Sequence, residues 1–277
     1  MNRLSHAART RALACLLDGM GMRATGRATG VSYSAVCDLL IQAGEVAADY
    51  HDRHVRHVAA RFVEADEIWS FVYAKDKQVE KMESPPPDAG SIWTWTAMDA
   101  ESKLMISYLI GGRSLPFARA FMQDLSERLA GRVQLTTDGY NLYIYAVAAA
   151  FGKRIDYAID RGFGDKEVIS GDPDPDHIST TYVERQNLTM RMCIRRFTRS
   201  TNAHSKKASR HVAMTALYFL YYNFCRVHES VRMSPAMAAG LDPVLHDVGW
   251  IAELVEDALP PPGPRGSYRP RKNGQGS

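Results

Sequence analysis

The chain has 277 residues, 45% of them hydrophobic, which is enough for one substantial core and a small additional domain. Its formal net charge of +3 is too small to argue alone for a nucleic-acid partner, so the distribution of charge has to decide. The four cysteines form no CxxC pair and no cluster with histidine, which argues against a zinc module and a disulfide framework.

The N-terminal segment is predicted to form helices over residues 9–17, 22–28 and 33–43, separated by short glycine-containing turns. Ser32 is a suitable N-cap for the third helix. The arrangement resembles the helix-turn-helix units of bacterial DNA-binding proteins, whose second helix enters the major groove. This resemblance implies DNA contacts by a set of residues at and before the start of that helix: Arg23, Arg27, Ser32, Tyr33 and Ser34. The alternative is a helical hairpin that only packs on the next domain.

The domain division predicted from the sequence has three parts. A helix-turn-helix domain and a polar linker helix (residues 44–61) occupy residues 1–61. A larger domain with C-terminal helices covers residues 62–241. Residues 242–277 add a last helix and a basic tail whose proline content and charge predict disorder.

The central region alternates strands and helices. The predicted order is three strands, helix, strand, helix, strand and helix, over residues 62–73, 91–98, 103–110, 115–129, 132–137, 141–151, 154–158 and from 181 onward. The charged, proline-containing stretch 75–90 predicts an exposed loop. This order is that of the ribonuclease H-like fold, an α/β fold with a mixed sheet flanked by helices.

Three acidic residues fall at matching places in this order. In the ribonuclease H-like fold, one acid lies on the first strand, one at the end of the fourth strand and one on a later helix. Asp66, Asp138 and Glu184 occupy those places. Glu67 follows Asp66 directly, and strand alternation predicts that its side chain points to the opposite face of the sheet.

The stretches around these acids, residues 64–69, 137–143 and 182–191, are similar to the three acidic motifs of IS1-family insertion-sequence transposases. The resemblance implies that Asp66, Asp138 and Glu184 are the catalytic acids and metal ligands. Arg185, Asn187 and Arg191 match the polar residues that accompany the glutamate. Two features depart from the family pattern, because the chain lacks the cysteines of a zinc-binding module and its 75–90 loop is long.

The implied activity is Mg²⁺-dependent DNA strand cleavage and strand transfer, with two metal ions and Mn²⁺ as a substitute. The implied partner is double-stranded DNA, both the inverted-repeat ends and the target, bound by a homo-oligomer. We expect no membrane partner and no small-molecule substrate. The absence of a signal-peptide pattern and of a long apolar run leads us to expect a cytoplasmic, nucleoid-associated protein.

A basic segment follows Glu184. Residues 185–210 contain eight arginines and lysines and no acidic residue: Arg185, Arg191, Arg195, Arg196, Arg199, Lys206, Lys207 and Arg210. Such a segment is suited to phosphate contacts. The alternative is a basic face that is merely solvated.

Two other functions are compatible with the sequence. The first is a non-catalytic DNA-binding protein derived from a transposase, which would have no need for the three acids. The second is a ribonuclease H-like nuclease, which would cut without preference for particular DNA ends.

Overall fold

The computed structural model describes residues 3–198 and 201–260. Three helices form the N-terminal part: α1 (His6–Leu17), α2 (Met22–Thr29) and α3 (Tyr33–His54). Ser32 caps α3 as predicted, because its hydroxyl accepts a hydrogen bond of 3.3 Å from the N–H of Ala35.

A six-stranded mixed sheet forms the centre of the molecule. Its strands are β1 (Phe62–Val72), β2 (Gly90–Asp99), β3 (Met105–Gly111), β4 (Val133–Thr137), β5 (Ile155–Asp160) and β6 (Lys166–Ser170). Their order across the sheet is β3-β2-β1-β4-β5-β6. The pairs β1–β2, β2–β3 and β5–β6 are antiparallel, whereas β1–β4 and β4–β5 are parallel. The first five strands have the order and directions expected of the ribonuclease H-like sheet, so the predicted fold class is confirmed.

Helices cover the sheet and join its strands. They are α4 (Asp76–Val79), α5 (Leu115–Arg128), α6 (Leu142–Phe151), α7 (Thr181–Cys193), α8 (Ala208–Phe224), α9 (Pro235–Ala238) and α10 (Val248–Asp257). The helices α5 and α6 pack on each other, and α7 lies against β1 and β2. On α7, the side chains of Val183 and Met190 are buried in the core, as their helical spacing predicts.

The helix α3 packs closely along α8. A Cβ atom added to Gly44 of α3 would lie 2.4 Å from the Cα atom of Ala213 on α8, so the two backbones meet where only glycine fits. The helices α1 and α10 are also in contact. One cluster of buried apolar side chains therefore runs from the N-terminal helices through the sheet to α10.

The structure differs from the predicted elements in four places. The short helix α4 lies within the stretch 75–90, which was predicted to be a loop. The polar helix predicted over 44–61 ends at His54, and the chain then leads into β1. The helix α7 ends at Cys193, where a short 3₁₀ turn over Arg195–Phe197 follows. The strand β6 was not predicted, because its residues are charged or exposed and lack an apolar alternation.

Among the helices within 3–198 and 201–260, none combines the length and the apolar character needed to cross a membrane.

Candidate active site

An acidic cluster lies where β4 ends beside β1. Asp66, Glu67 and Asp138 each offer one carboxylate oxygen, and these oxygens lie within 4.8 Å of one another. The parallel register pairs Ala65 with Thr137, so the next residues of the two strands, Asp66 and Asp138, come out side by side. Two of the three predicted acids are thus brought together by the strand pairing alone.

Asp66 is held from the side of α7. Its carboxylate accepts a hydrogen bond of 2.8 Å from the side-chain amide of Asn187. The hydroxyl of Thr96, on the neighbouring strand β2, lies 3.1 Å from the backbone oxygen of Asp66 and 3.3 Å from the amide oxygen of Asn187. Asn187 was predicted to contact DNA, but the structure buries it and uses it to orient Asp66.

Asp138 is the first residue after β4, and its own loop holds it. Its carboxylate accepts a hydrogen bond of 3.0 Å from the backbone N–H of Tyr140, which closes a short turn. Burial is the main cause that raises the pKa of Asp138, and the charge of Glu184 adds to the effect.

Glu67 belongs to the cluster, contrary to the expectation that alternation removes it. The alternation itself holds: Asp66 contacts Asn187, whereas Glu67 accepts a 2.8 Å hydrogen bond from the hydroxyl of Tyr143 on α6. However, β1 pairs with β4 only as far as Ala65 and then runs on beyond the end of β4. Beyond the end of β4, no strand in the described part of the chain pairs with β1 on that side. The carboxylates of Asp66 and Glu67 can therefore both approach Asp138 there, although they start on opposite faces of the sheet.

Arg113 forms an ion pair with this group. Its guanidinium lies 2.5 Å from the carboxylate of Glu67. It is flanked by two rings, with its Cζ atom 3.9 Å from the ring centre of Tyr140 and 4.6 Å from that of Trp93. The sequence argument missed Arg113, because it lies beyond β3 and reaches the acids only through the tertiary fold.

Glu184 lies outside the 4.8 Å group, on the exposed side of the first turn of α7. Its carboxylate accepts a hydrogen bond of 2.8 Å from the hydroxyl of Thr180. Its charge nevertheless acts on Asp66 and Asp138, since it contributes to the raised pKa of both. Glu184 is therefore close enough to influence the cluster, but its carboxylate is not one of the three that lie within 4.8 Å of one another.

Glu64 connects β1 to the start of α7. One oxygen of its carboxylate accepts hydrogen bonds of 2.7 and 2.9 Å from the backbone N–H groups of Tyr182 and Val183. These N–H groups belong to the first helical turn and have no partner within the helix. The strand that carries Asp66 thereby fixes the helix that carries Glu184.

The donor set fits a hard divalent cation. Burial, followed by the charge of Asp138, raises the pKa of Asp66 to about 6 and that of Glu67 to about 7. Closely spaced carboxylates repel each other, and a bound cation relieves that repulsion. Mg²⁺ and Mn²⁺ prefer such oxygen ligands.

A basic cleft of about 440 Å³ lies between the N-terminal helices and the segment after α7. Seven of the residues predicted to contact DNA line it: Arg23, Arg27, Tyr33, Arg195, Arg196, Lys206 and Arg210. Tyr33 joins its two sides, since Arg23 lies 5.0 Å from its ring centre and Arg210 donates a 3.3 Å hydrogen bond to its hydroxyl. Among the described residues, no aspartate or glutamate lines this cleft.

The other residues predicted to contact DNA lie in several places. Arg185 is exposed on α7, Lys207 is exposed at the start of α8, and Arg191 is partly buried. Ser32 and Ser34 are exposed at the start of α3, with their hydroxyl oxygens 3.2 Å apart. Arg199 lies outside the described residues.

We expect the metal-free protein to lose stability as the pH rises from about 6.5 to about 8. Burial raises the pKa of Glu64 and of Glu67 from the ordinary 4.5 to about 7, so the folded state holds more protons than the unfolded state until both groups ionise. Buried His51 and His211, whose pKa values are lowered to about 3, act in the opposite direction. These two histidines raise the stability as the pH rises from about 3 to about 6.5. Above the ordinary histidine pKa of about 6.5, this gain is nearly complete.

Urea unfolding at the two pH values, without divalent metal, measures this effect. The variant Glu67→Gln removes one of the two titrating groups and should show a smaller decline. An equal decline in the variant and the wild type would show that Glu67 does not have the raised pKa that causes the loss of stability.

No protein-family model and no curated protein matches the chain. Among solved structures, the Mos1 transposase paired-end complex with left transposon end is 12% identical, with 69% of this chain and 66% of that chain covered at a TM-score of 0.27. The Mos1 strand transfer complex is 13% identical, with coverages of 78% and 77% and a TM-score of 0.25. A pre-cleavage Mos1 transpososome is 10% identical, with 79% of each chain covered and a TM-score of 0.24. The chain thus spans just under two thirds of the first of these structures, and the fold assignment rests on the strand order rather than on these superpositions.

Proposed function

We propose that the protein is a DNA transposase of the Asp-Asp-Glu type, which binds the terminal inverted repeats of its own insertion sequence and catalyses metal-dependent strand cleavage and strand transfer. The observation that carries the proposal is the acidic cluster at the end of β4, to which the helix bearing Glu184 is hydrogen-bonded through Asn187. Burying and aligning several carboxylates costs stability unless a cation joins them. The motif similarity to IS1-family transposases supports the same function.

In this proposal Asp66, Asp138 and Glu184 hold Mg²⁺, or Mn²⁺ in its place, and Glu67 adds a further carboxylate. The bound metal supplies activation of the attacking oxygen and charge stabilisation of the leaving oxygen in an in-line displacement at phosphorus. Asn187 keeps Asp66 oriented before any ligand arrives. Such preorganisation reduces the rearrangement needed during the reaction.

The basic cleft is the proposed contact with the DNA backbone. Its cations come from α2, from the 3₁₀ turn after α7 and from the start of α8, so one run of phosphates can touch both the N-terminal helices and the segment that follows α7. Binding there will weaken steeply as the salt concentration rises. Because two ends must be joined in one event, we propose that at least two copies act together on DNA.

The test uses labelled DNA carrying the inverted repeats that flank the gene. With Mg²⁺ we expect cleavage at the repeat end and a strand-transfer product, and with a chelator neither. Cleavage without preference for the repeat would favour a ribonuclease H-like nuclease. Repeat-specific binding without any cleavage would favour a non-catalytic DNA-binding protein, and either result would overturn the proposal.

A further inference from the structure

The hairpin between β5 and β6 ends in a tight turn over residues 161–165. The backbone N–H of Arg161 donates to the carbonyl of Asp165 at 2.9 Å, and the N–H of Asp165 donates to the carbonyl of Gly162 at 3.0 Å. The carboxylate of Asp160 accepts a 2.9 Å hydrogen bond from the N–H of Gly162. These three bonds give the turn a defined shape.

Phe163 projects from this turn. Its exposed fraction of 113% shows that the fold uses none of its surface for packing. Its φ of 53° lies in the left-handed region, between Gly162 at 81° and Gly164 at 83°. Bulky residues are disfavoured in that region, and an exposed phenylalanine ring gains nothing from the hydrophobic effect. Neither the packing nor the backbone conformation of the chain accounts for a phenylalanine at this position.

The turn lies beside the acidic cluster. The parallel register pairs Thr137 of β4 with Ile159 of β5, so both strands end at the same edge of the sheet. A Cβ atom added to Gly139, the residue after Asp138, would lie 3.1 Å from the guanidinium of Arg161. DNA with a phosphate at Asp138 would therefore pass close to the tip of the hairpin.

We propose that Phe163 stacks on a DNA base next to the phosphate that is cut. The inference rests on the proposed transposase function and extends it to base contacts. Aromatic side chains stack on bases of any sequence, and apolar side chains wedge between base steps. A single protruding ring matches the area of one base, whereas a standard protein–protein interface buries roughly 800 Å² on each partner. A nucleic-acid base therefore fits this feature better than a second copy of the chain.

The experiment measures binding of a repeat end that carries a short single-stranded flank across the cleavage position, without divalent metal. No base pair has to open in this DNA, so a stacked base contributes directly to affinity. We expect Phe163→Ala to weaken binding about tenfold and Phe163→Trp to retain it. Val168→Ala is the matched control, because Val168 is a 55% exposed apolar residue on the same hairpin.

A second comparison identifies the base. Abasic substitutions along the flank should weaken wild-type binding at one position, and the same substitution should have no further effect on Phe163→Ala. Equal binding by the wild type and Phe163→Ala, or an equal loss at every abasic position in both, would overturn the inference. The inference would also be overturned if Phe163→Ala changed the oligomeric state of the protein but responded to each abasic position as the wild type does. That result would mean that the ring contacts a second copy of the chain. If the wild type binds no DNA at all, the proposed function itself is wrong.

Discussion

Replacing Asp138 by asparagine is expected to reduce strand transfer at least ~10³-fold, which corresponds to a loss of roughly 4 kcal/mol of transition-state stabilisation. Asparagine keeps an oxygen that can accept the N–H of Tyr140, so the loop after β4 should retain its shape. The change removes only the negative charge that the metal needs. Rates measured with saturating Mg²⁺ on a labelled repeat end test this.

The same variant should be at least as stable as the wild type without metal. Burial and the charge of Asp138 are the two largest causes of the raised pKa of Asp66, and the substitution removes the second. Asp172→Asn makes the same chemical change in an exposed loop and should alter neither stability nor rate. Strand transfer by Asp138→Asn within tenfold of the wild-type rate would show that Asp138 is not a metal ligand.

Glu64→Ala is expected to lower the free energy of unfolding by about 2–4 kcal/mol, since two backbone N–H groups at the start of α7 lose their acceptor. Strand transfer should fall as well, because α7 carries both Glu184 and the amide that orients Asp66. Glu64→Gln keeps an acceptor oxygen at the same distance along the side chain. It should recover most of the stability and most of the rate.

Urea unfolding and strand-transfer rates on the same preparations separate these effects. Glu253→Ala, on the exposed side of α10, is the control for losing a glutamate carboxylate elsewhere. An unfolding midpoint for Glu64→Ala equal to that of the wild type would mean that the hydrogen bonds to Tyr182 and Val183 do not hold the helix.

The parts of the fold with a strong local pattern were predictable from the sequence. The strands that carry Asp66 and precede Asp138 have alternating or continuous apolar residues, and their order placed Asp66 on the first strand and Asp138 at the end of the fourth strand. The buried stripe of α7 was predictable for the same reason, since helical spacing decides which side chains face the core. These elements are confirmed.

The remaining features depend on contacts between distant parts of the chain. Glu67 joins the cluster because β4 stops where β1 continues, and strand length is the least predictable property of a strand. Glu64 and Arg113 gain their contacts only when α7 and the end of β3 reach β1. The sequence did contain one sign of these contacts. Glu64, Asp66 and Glu67 lie within four positions of a strand that is otherwise buried, and buried carboxylates need partners.

The close packing of α3 on α8 has a mechanical meaning for the proposed function. A helix of 22 residues is a rigid rod about 33 Å long, and Gly44 allows it to lie directly on α8. Its first turn, at Tyr33, faces the basic cleft, and its last residue, His54, precedes the strand of Asp66 by only a few residues. In the proposed transposase, this rod would hold the basic cleft at a fixed distance from the strand of Asp66, so we expect the cut to fall at a constant number of base pairs from the sequence that is read.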